Sequence, residues 1–132
     1  MTIHMHGTRL LIVDDSPTVL SLLQLVFEGD NYEVATARDG MEGLEKVRHW
    51  KPDLIVTDSV MPNIDGFELL RILRNDPATR EIPVIMLTGS DQADPTQAAR
   101  LQPDALASKS TEWSELLALA RKLLQGRPVR SV

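Results

Sequence analysis

The stretch Leu10-Leu11-Ile12-Val13-Asp14-Asp15 decides the fold class, because an uninterrupted apolar run is followed at once by two acidic residues. The apolar run is typical of a strand whose two faces are both covered, as parallel sheets require. Ser16 and Pro17 then predict a helix start, since proline has no N–H to lose at the first helical position. Similar runs alternate with helical segments about five times, which predicts an α/β domain with a parallel sheet.

The other strands and helices are predicted from the same alternation. Strands are expected at 32–36, 54–57, 83–87 and 104–108. Each helix follows a residue that can cap it, namely Ser16, Asp39, Asp65, Asp94 and Thr111. The fourth helix, 94–101, is short and polar, and Gly29 offers a left-handed end to the first helix. Two helices carry apolar stripes at helical spacing, the first through Val19, Leu22, Leu23, Val26 and Phe27 and the last through Trp113, Leu116, Leu117, Ala120, Leu123 and Leu124.

Length and composition indicate one globular domain. The 132 residues are 42% hydrophobic and 25% charged, and we expect a leader at 1–8, a domain at 9–125 and a tail at 126–132. The absence of Cys excludes disulfide scaffolds, iron–sulfur clusters and thiol catalysis. The net charge of −5 argues against direct binding to nucleic acid. No apolar run approaches the ~20 residues of a membrane span, and no secretory signal is evident, so we expect a cytoplasmic protein.

Reactive polar residues follow four of the predicted strands. They are Asp14 and Asp15 after the first strand, Asp58 after the third, Thr88 after the fourth and Lys109 after the fifth. In a doubly wound sheet, ligands bind beyond the carboxyl ends of the strands, at the point where the winding reverses. If the first and third strands are neighbours, with the fourth and fifth beyond the third, these residues converge on one edge.

Three carboxylates at one edge favour a bound cation. A like-charged pair at ~4 Å costs about 4 kcal/mol at an effective dielectric of 20. Oxygen ligands without His or Cys select Mg²⁺ or a similar ion. Lys109 and Thr88 supply a cation and a hydroxyl suited to a phosphoryl group. A carboxylate beside Mg²⁺ and a lysine can attack phosphorus and form an acyl phosphate.

These residues resemble the pattern of the response-regulator receiver domain, from about residue 9 to residue 125. The matching pieces, each near a strand end, are Leu11-Ile12-Val13-Asp14-Asp15, Asp53-Leu54-Ile55-Val56-Thr57-Asp58, Met61-Pro62, Asp65-Gly66, Leu87-Thr88 and Lys109. The resemblance implies a flavodoxin-like fold. In that fold a doubly wound, five-stranded parallel sheet of order 2-1-3-4-5 is flanked by five helices.

The resemblance also implies a role for each matching residue. Asp58 would be the phosphoacceptor, and Lys109 would bind the phosphoryl group. Thr88 would move towards the phosphoryl group and relay the change to the last strand and helix. Asp15 would ligate Mg²⁺ directly, and Asp14 would act through water or assist its placement. Asp58 and the backbone carbonyl of Val60 would complete the protein ligands.

The implied function is a signalling switch, not an enzyme that acts on outside substrates. The phosphoryl donor would be a phosphohistidine on a sensor histidine kinase or a histidine phosphotransfer protein. The added charge would bias a two-state surface around the fourth helix, fifth strand and fifth helix. The chain would also take part in its own dephosphorylation. The output partner is unknown, and a homodimer through the same surface stays open.

Two positions depart from the usual family pattern. Leu106 stands where the family usually has an aromatic switch residue. Ser110 follows Lys109 where the family usually has proline, often on a cis bond. A cis bond before a residue other than proline costs about 2.5–4 kcal/mol, so a trans bond is expected here. The departures leave acceptor chemistry intact and bear on the output mechanism.

Two other functions compete with the signalling switch. An aspartate-nucleophile phosphohydrolase would place a second Asp two residues after the nucleophile, but that position is Val60, which cannot donate a proton. A receiver-like interaction module that works without phosphate stays open because of Leu106 and Ser110.

Overall fold

A five-stranded parallel sheet forms the centre of the protein, in the order β2-β1-β3-β4-β5. The computed structural model describes residues 7–89 and 103–125. The strands are β1 (Arg9–Val13), β2 (Glu33–Ala37), β3 (Leu54–Asp58), β4 (Val84–Thr88) and β5 (Ala105–Ser108). All four strand pairs are parallel, so the expected class and strand order are confirmed.

The described residues form four helices, α1 (Pro17–Glu28), α2 (Gly40–Trp50), α3 (Gly66–Arg74) and α4 (Trp113–Leu124). Helix α4 is the fifth of the predicted helices. The predicted fourth helix lies outside the described residues, as do 1–6 and 126–132. None of the four described helices combines the length and apolar character of a membrane span.

The helices cover both faces of the sheet, and successive strand residues alternate between them. Helices α2 and α3 pack on one face, against the cluster that contains Leu11, Ile55 and Met86. Helices α1 and α4 pack on the other, against Leu10 and Val56. Because both faces are buried, the central strands β1, β3 and β4 are almost continuously apolar. Their charged residues lie at the strand ends.

The first helix corrects two expectations. Leu22 is 45% exposed, while Leu20, absent from the predicted stripe, is buried beside Leu23. The run of leucines offers two overlapping stripes, and packing on the sheet selects between them. Gly29 stays right-handed (φ −63°) and its N–H donates to a carbonyl of the last helical turn. The residue that adopts the left-handed conformation after α1 is Asn31 (φ 70°), and asparagine tolerates this conformation.

The caps of the other helices were partly predicted. Asp39 and Asp65 accept hydrogen bonds from the N–H three residues on, at 2.8 Å in both cases. The expected cap at Thr111 is wrong, because the helix begins one residue later. Glu112 occupies the cap position there and makes no side-chain cap hydrogen bond. Trp113, expected to face the core, is 42% exposed at the start of α4.

Candidate functional site

The carboxyl ends of the central strands lie side by side. Val13 is level with Thr57 in the β1–β3 pair, and Asp58 is level with Leu87 in the β3–β4 pair. Thr88 closes the β4–β5 pair on the same edge. This register brings the chain segments that follow β1, β3 and β5 together at one edge of the sheet.

Three carboxylates meet at that edge. Asp14, Asp15 and Asp58 each place one carboxylate oxygen within 4.8 Å of the others. Asp14 and Asp58 are buried, whereas Asp15 is exposed. The predicted convergence of these three residues therefore exists in the fold, with two acids inside and one towards solvent.

The lysine predicted for this site lies between the two buried acids. Lys109 Nζ is 3.2 Å from Asp58 Oδ2 and 3.3 Å from Asp14 Oδ2. Its backbone N–H donates to the Thr88 carbonyl at 3.0 Å, which extends the β4–β5 ladder by one residue. About a third of its side chain is exposed. The ammonium group is thus held at the site while one side stays open to solvent.

One buried oxygen at the site is incompletely satisfied. Asp14 Oδ1 accepts the Ser16 N–H at 2.9 Å. Asp14 Oδ2 is fully buried and has no well-directed hydrogen bond, with Lys109 Nζ as its charged neighbour. Native proteins leave few buried polar atoms in this state unless a ligand or ion completes them. Asp14 Oδ2 is therefore a candidate ligand for a further cation.

The buried charges shift two pKa values. Burial, and then the charge of Asp14, raise the pKa of Asp58 above its ordinary value. The hydrogen bonds from Lys109 and from the Val60 N–H oppose this rise but do not cancel it. Burial alone would lower the pKa of Lys109, but its contacts with Asp58 and Asp14 outweigh this effect and raise it. The Lys109 side chain therefore stays protonated and positively charged.

Thr88 and Val60 lie next to this cluster. Thr88 is half-buried at the end of β4, and its carbonyl holds Lys109. Val60 is exposed, and its N–H donates to Asp58 Oδ1 at 3.3 Å. The hydroxyl role of Thr88 and the metal-ligand role of the Val60 carbonyl stay predictions.

Gly66 has a role that the sequence did not predict, although Asp65-Gly66 is part of the family pattern. A Cβ at this first position of α3 would lie 2.2 Å from the Asp58 carbonyl oxygen and 2.9 Å from the Ser59 Cα. The Gly66 N–H also donates to the Ser59 carbonyl at 3.0 Å. The start of α3 therefore packs directly on the backbone of Asp58. The available signal was a glycine directly after the cap Asp65.

The two departures from the family pattern have definite positions. Leu106 is 48% exposed on β5. No described peptide bond is cis, so the bond between Lys109 and Ser110 is trans, as expected.

With this geometry in place, the comparison with known families identifies the class of protein. The family described as the response regulator receiver domain matches residues 10–121. The chain belongs to this family and is a receiver domain of two-component systems. Receiver domains are signalling switches, and histidine kinases phosphorylate them.

Individual relatives agree with this assignment. The chain is 37% identical over 118 residues to the DNA-binding dual master transcriptional regulator RpaA of Synechocystis sp., covering 89% of this chain and 49% of RpaA. It is 43% identical over 84 residues to Protein PilH of Pseudomonas aeruginosa, covering 64% of this chain and 69% of PilH. The chain thus spans about half the length of RpaA.

Solved structures share the fold. The receiver domain of a histidine kinase from Syntrophus aciditrophicus is 33% identical, with a TM-score of 0.84, and the match covers 96% of this chain and 97% of that domain. The response regulator TrrA of Thermotoga maritima, solved in complex with Mg²⁺ and BeF, is 31% identical with a TM-score of 0.79. That match covers 89% of this chain and 99% of TrrA.

Proposed function

We propose that Asp58 accepts a phosphoryl group in a Mg²⁺-dependent reaction and that the resulting charge switches a protein-interaction surface. The observation that carries this proposal is the position of the buried Asp58 carboxylate. It lies 3.2 Å from a lysine ammonium group and within 4.8 Å of two further carboxylates. A nucleophile, a phosphoryl-binding cation and ligands for a metal ion are thus next to one another.

The residues present fit a hard divalent cation. All the side-chain donors are carboxylate oxygens, which Mg²⁺ prefers, and the buried Asp14 Oδ2 has no well-directed hydrogen bond. We assign Asp14, Asp15, Asp58 and the Val60 carbonyl as its protein ligands. When bound, Mg²⁺ would neutralise the carboxylates and withdraw charge from phosphoryl oxygens.

The proposed step is a displacement at phosphorus. A carboxylate oxygen of Asp58 attacks the phosphorus of a phosphohistidine, forming an O–P bond as the N–P bond breaks. The imidazole leaves with the bonding electron pair and takes up a proton from solvent. The Lys109 ammonium group stabilises the phosphoryl oxygens, and the Thr88 hydroxyl donates to one of them after the transfer. Attack by water on the acyl phosphate would later restore the Asp58 carboxylate.

The proposed donor is a sensor histidine kinase or a histidine phosphotransfer protein. The output surface would comprise the predicted fourth helix, β5 and α4. Leu106 lies exposed on β5, where a change near Thr88 and Lys109 could alter its burial. The output partner stays open. DNA binding is part of the name of RpaA, of which the chain covers about half.

A small phosphodonor tests this proposal. The chain is incubated with Mg²⁺ and acetyl phosphate, and its intact mass is measured. We expect a single phosphoryl adduct that Asp58→Asn and chelation of Mg²⁺ both abolish. Asp39→Asn serves as the matched control, because asparagine caps a helix as well as aspartate and the adduct should persist.

The alternatives give different outcomes in the same experiment. An adduct that persists in Asp58→Asn, or no adduct with any donor, would contradict the proposal, and the latter would favour a phosphate-independent module. Steady release of phosphate from varied phosphomonoesters would favour a phosphohydrolase.

A further inference from the structure

Two serine hydroxyls hold the turn that carries Lys109. The Ser110 N–H donates to Ser108 Oγ at 3.1 Å, and the two serine Oγ atoms lie 2.7 Å apart. The Thr111 N–H closes the same turn by donating to the Ser108 carbonyl at 2.9 Å. The residues before and after Lys109 are therefore tied to each other.

The position of the ammonium group depends on this turn. The lysine side chain is a flexible four-carbon stem, so Nζ is held by its contacts with Asp14 and Asp58, and the turn sets the Cα from which the stem reaches them. The Thr88 carbonyl anchors Lys109 N–H at 3.0 Å, and the serine pair anchors the other side. Misplacement of a catalytic group by about 1 Å can lower a rate by up to roughly 100-fold.

We propose that the Ser108 hydroxyl, hydrogen-bonded to Ser110, is a positioning group that sets Lys109 Nζ for phosphoryl transfer. This inference rests on the proposed function of Asp58. Ser108 acts through Lys109 and does not touch the reacting atoms. Both serines are exposed, so water competes for their hydrogen bonds and their contribution to folding is small. Their effect should therefore be seen in the rate and not in unfolding.

The rate of adduct formation from acetyl phosphate tests the inference. We expect Ser108→Ala to slow phosphorylation by about three- to tenfold. This is less than the roughly 100-fold loss that a full 1 Å misplacement of a catalytic group can cause. Ser108→Thr keeps the hydroxyl and should stay within about twofold of the parent chain. Ser114→Ala, which alters an exposed serine on α4 outside the turn, is the matched control and should leave the rate unchanged.

A double-mutant cycle shows whether Ser108 acts through Lys109. In a Lys109→Ala background, Ser108→Ala should cause no further slowing of phosphorylation. The unfolding midpoint of the double variant should match that of Lys109→Ala alone. An unchanged rate for Ser108→Ala in the parent chain, or equal slowing in both backgrounds, would overturn the inference. The proposed function fails separately, if the parent chain forms no adduct that depends on Asp58.

Discussion

Asp58 and Lys109 set each other's protonation at the residue scale. The Asp58 carboxylate is buried beside Asp14, and these two causes raise its pKa, while the Lys109 hydrogen bond works in the opposite direction. The same contact raises the pKa of Lys109, because the two neighbouring carboxylates outweigh the effect of its own burial. The Lys109 ammonium group and the Val60 N–H therefore limit the rise in the pKa of Asp58 without cancelling it.

The pKa of Asp58 in the metal-free chain should respond to each neighbour in a known direction. Lys109→Met removes the influence that lowers this pKa, so the pKa should rise further. Asp14→Asn removes a charge that raises it, so the pKa should fall. Titration of the ¹³C carboxyl signal of Asp58 measures both. Lys122→Met, which removes an exposed lysine of α4, should change nothing. A fall in the pKa of Asp58 in Lys109→Met would contradict this electrostatic account.

At the scale of elements, the contact between α3 and the end of β3 positions the proposed phosphoacceptor. Only glycine fits at the first position of α3, where a Cβ would clash with the backbone of Asp58 and Ser59. The clash is with main chain, which cannot rotate away as a side-chain tip can. A displaced helix start would therefore shift the backbone of Asp58 and Ser59.

Gly66→Ala should displace this contact. We expect the free energy of unfolding to fall by about 2 kcal/mol or more, as for other overpacked sites, and phosphorylation of Asp58 to slow. Chemical denaturation and the acetyl phosphate rate measure the two effects. Gly29→Ala is the matched control, because Gly29 has a right-handed helical backbone that alanine adopts readily. If Gly66→Ala were as stable as Gly29→Ala, the backbone clash at position 66 would not destabilise the fold, and the prediction would be wrong.

The N-terminus of α4 lacks a stabilising side-chain cap. Glu112 has the extended backbone of a cap residue but makes no side-chain cap hydrogen bond. Glu112→Asp keeps the charge and shortens the side chain, so it should add about 0.5–1 kcal/mol to the free energy of unfolding. Thr111→Ala should have little effect, since Thr111 is not the cap. Thermal and denaturant unfolding measure both, and the reverse ranking would restore Thr111 as the cap.

At the scale of the whole molecule, the alternation of buried strands and helices predicted the sheet and its reactive edge. Asp14 and Asp58 were predicted because β1 and β3, buried on both faces, carry charged residues only at their ends. Lys109 was predicted because it follows the fifth strand of the same alternation. The choice of Leu20 over Leu22 could not be predicted, since both fit a helical stripe. The close approach at Gly66 and the ion-pair distances depend on tertiary packing, which no local pattern contains.

The crowded acidic edge should cost the folded state stability when no metal is bound. The pKa of Asp58 is raised on folding, so protonation favours the folded state, and its contribution to stability falls as pH rises through that range. Near neutral pH, Asp58→Asn should therefore raise the free energy of unfolding in chelator.

Mg²⁺ should reduce this difference. At 100 times its dissociation constant, an ion that binds only the folded state adds about 2.7 kcal/mol to the parent chain. Asp58→Asn, with one ligand weakened, should gain less. Denaturant unfolding of the parent chain and of Asp58→Asn, each with Mg²⁺ and with chelator, measures the four free energies of unfolding. Equal gains in both chains would place the metal away from Asp58.

The position of the phosphoryl group tests the central claim most directly. After reaction with acetyl phosphate and Mg²⁺, borohydride cleaves an acyl phosphate on aspartate and leaves homoserine, which tandem mass spectrometry can locate. We expect homoserine at position 58 and at no other acidic residue. Homoserine at Asp14 or Asp15, or an adduct that resists borohydride, would contradict the account.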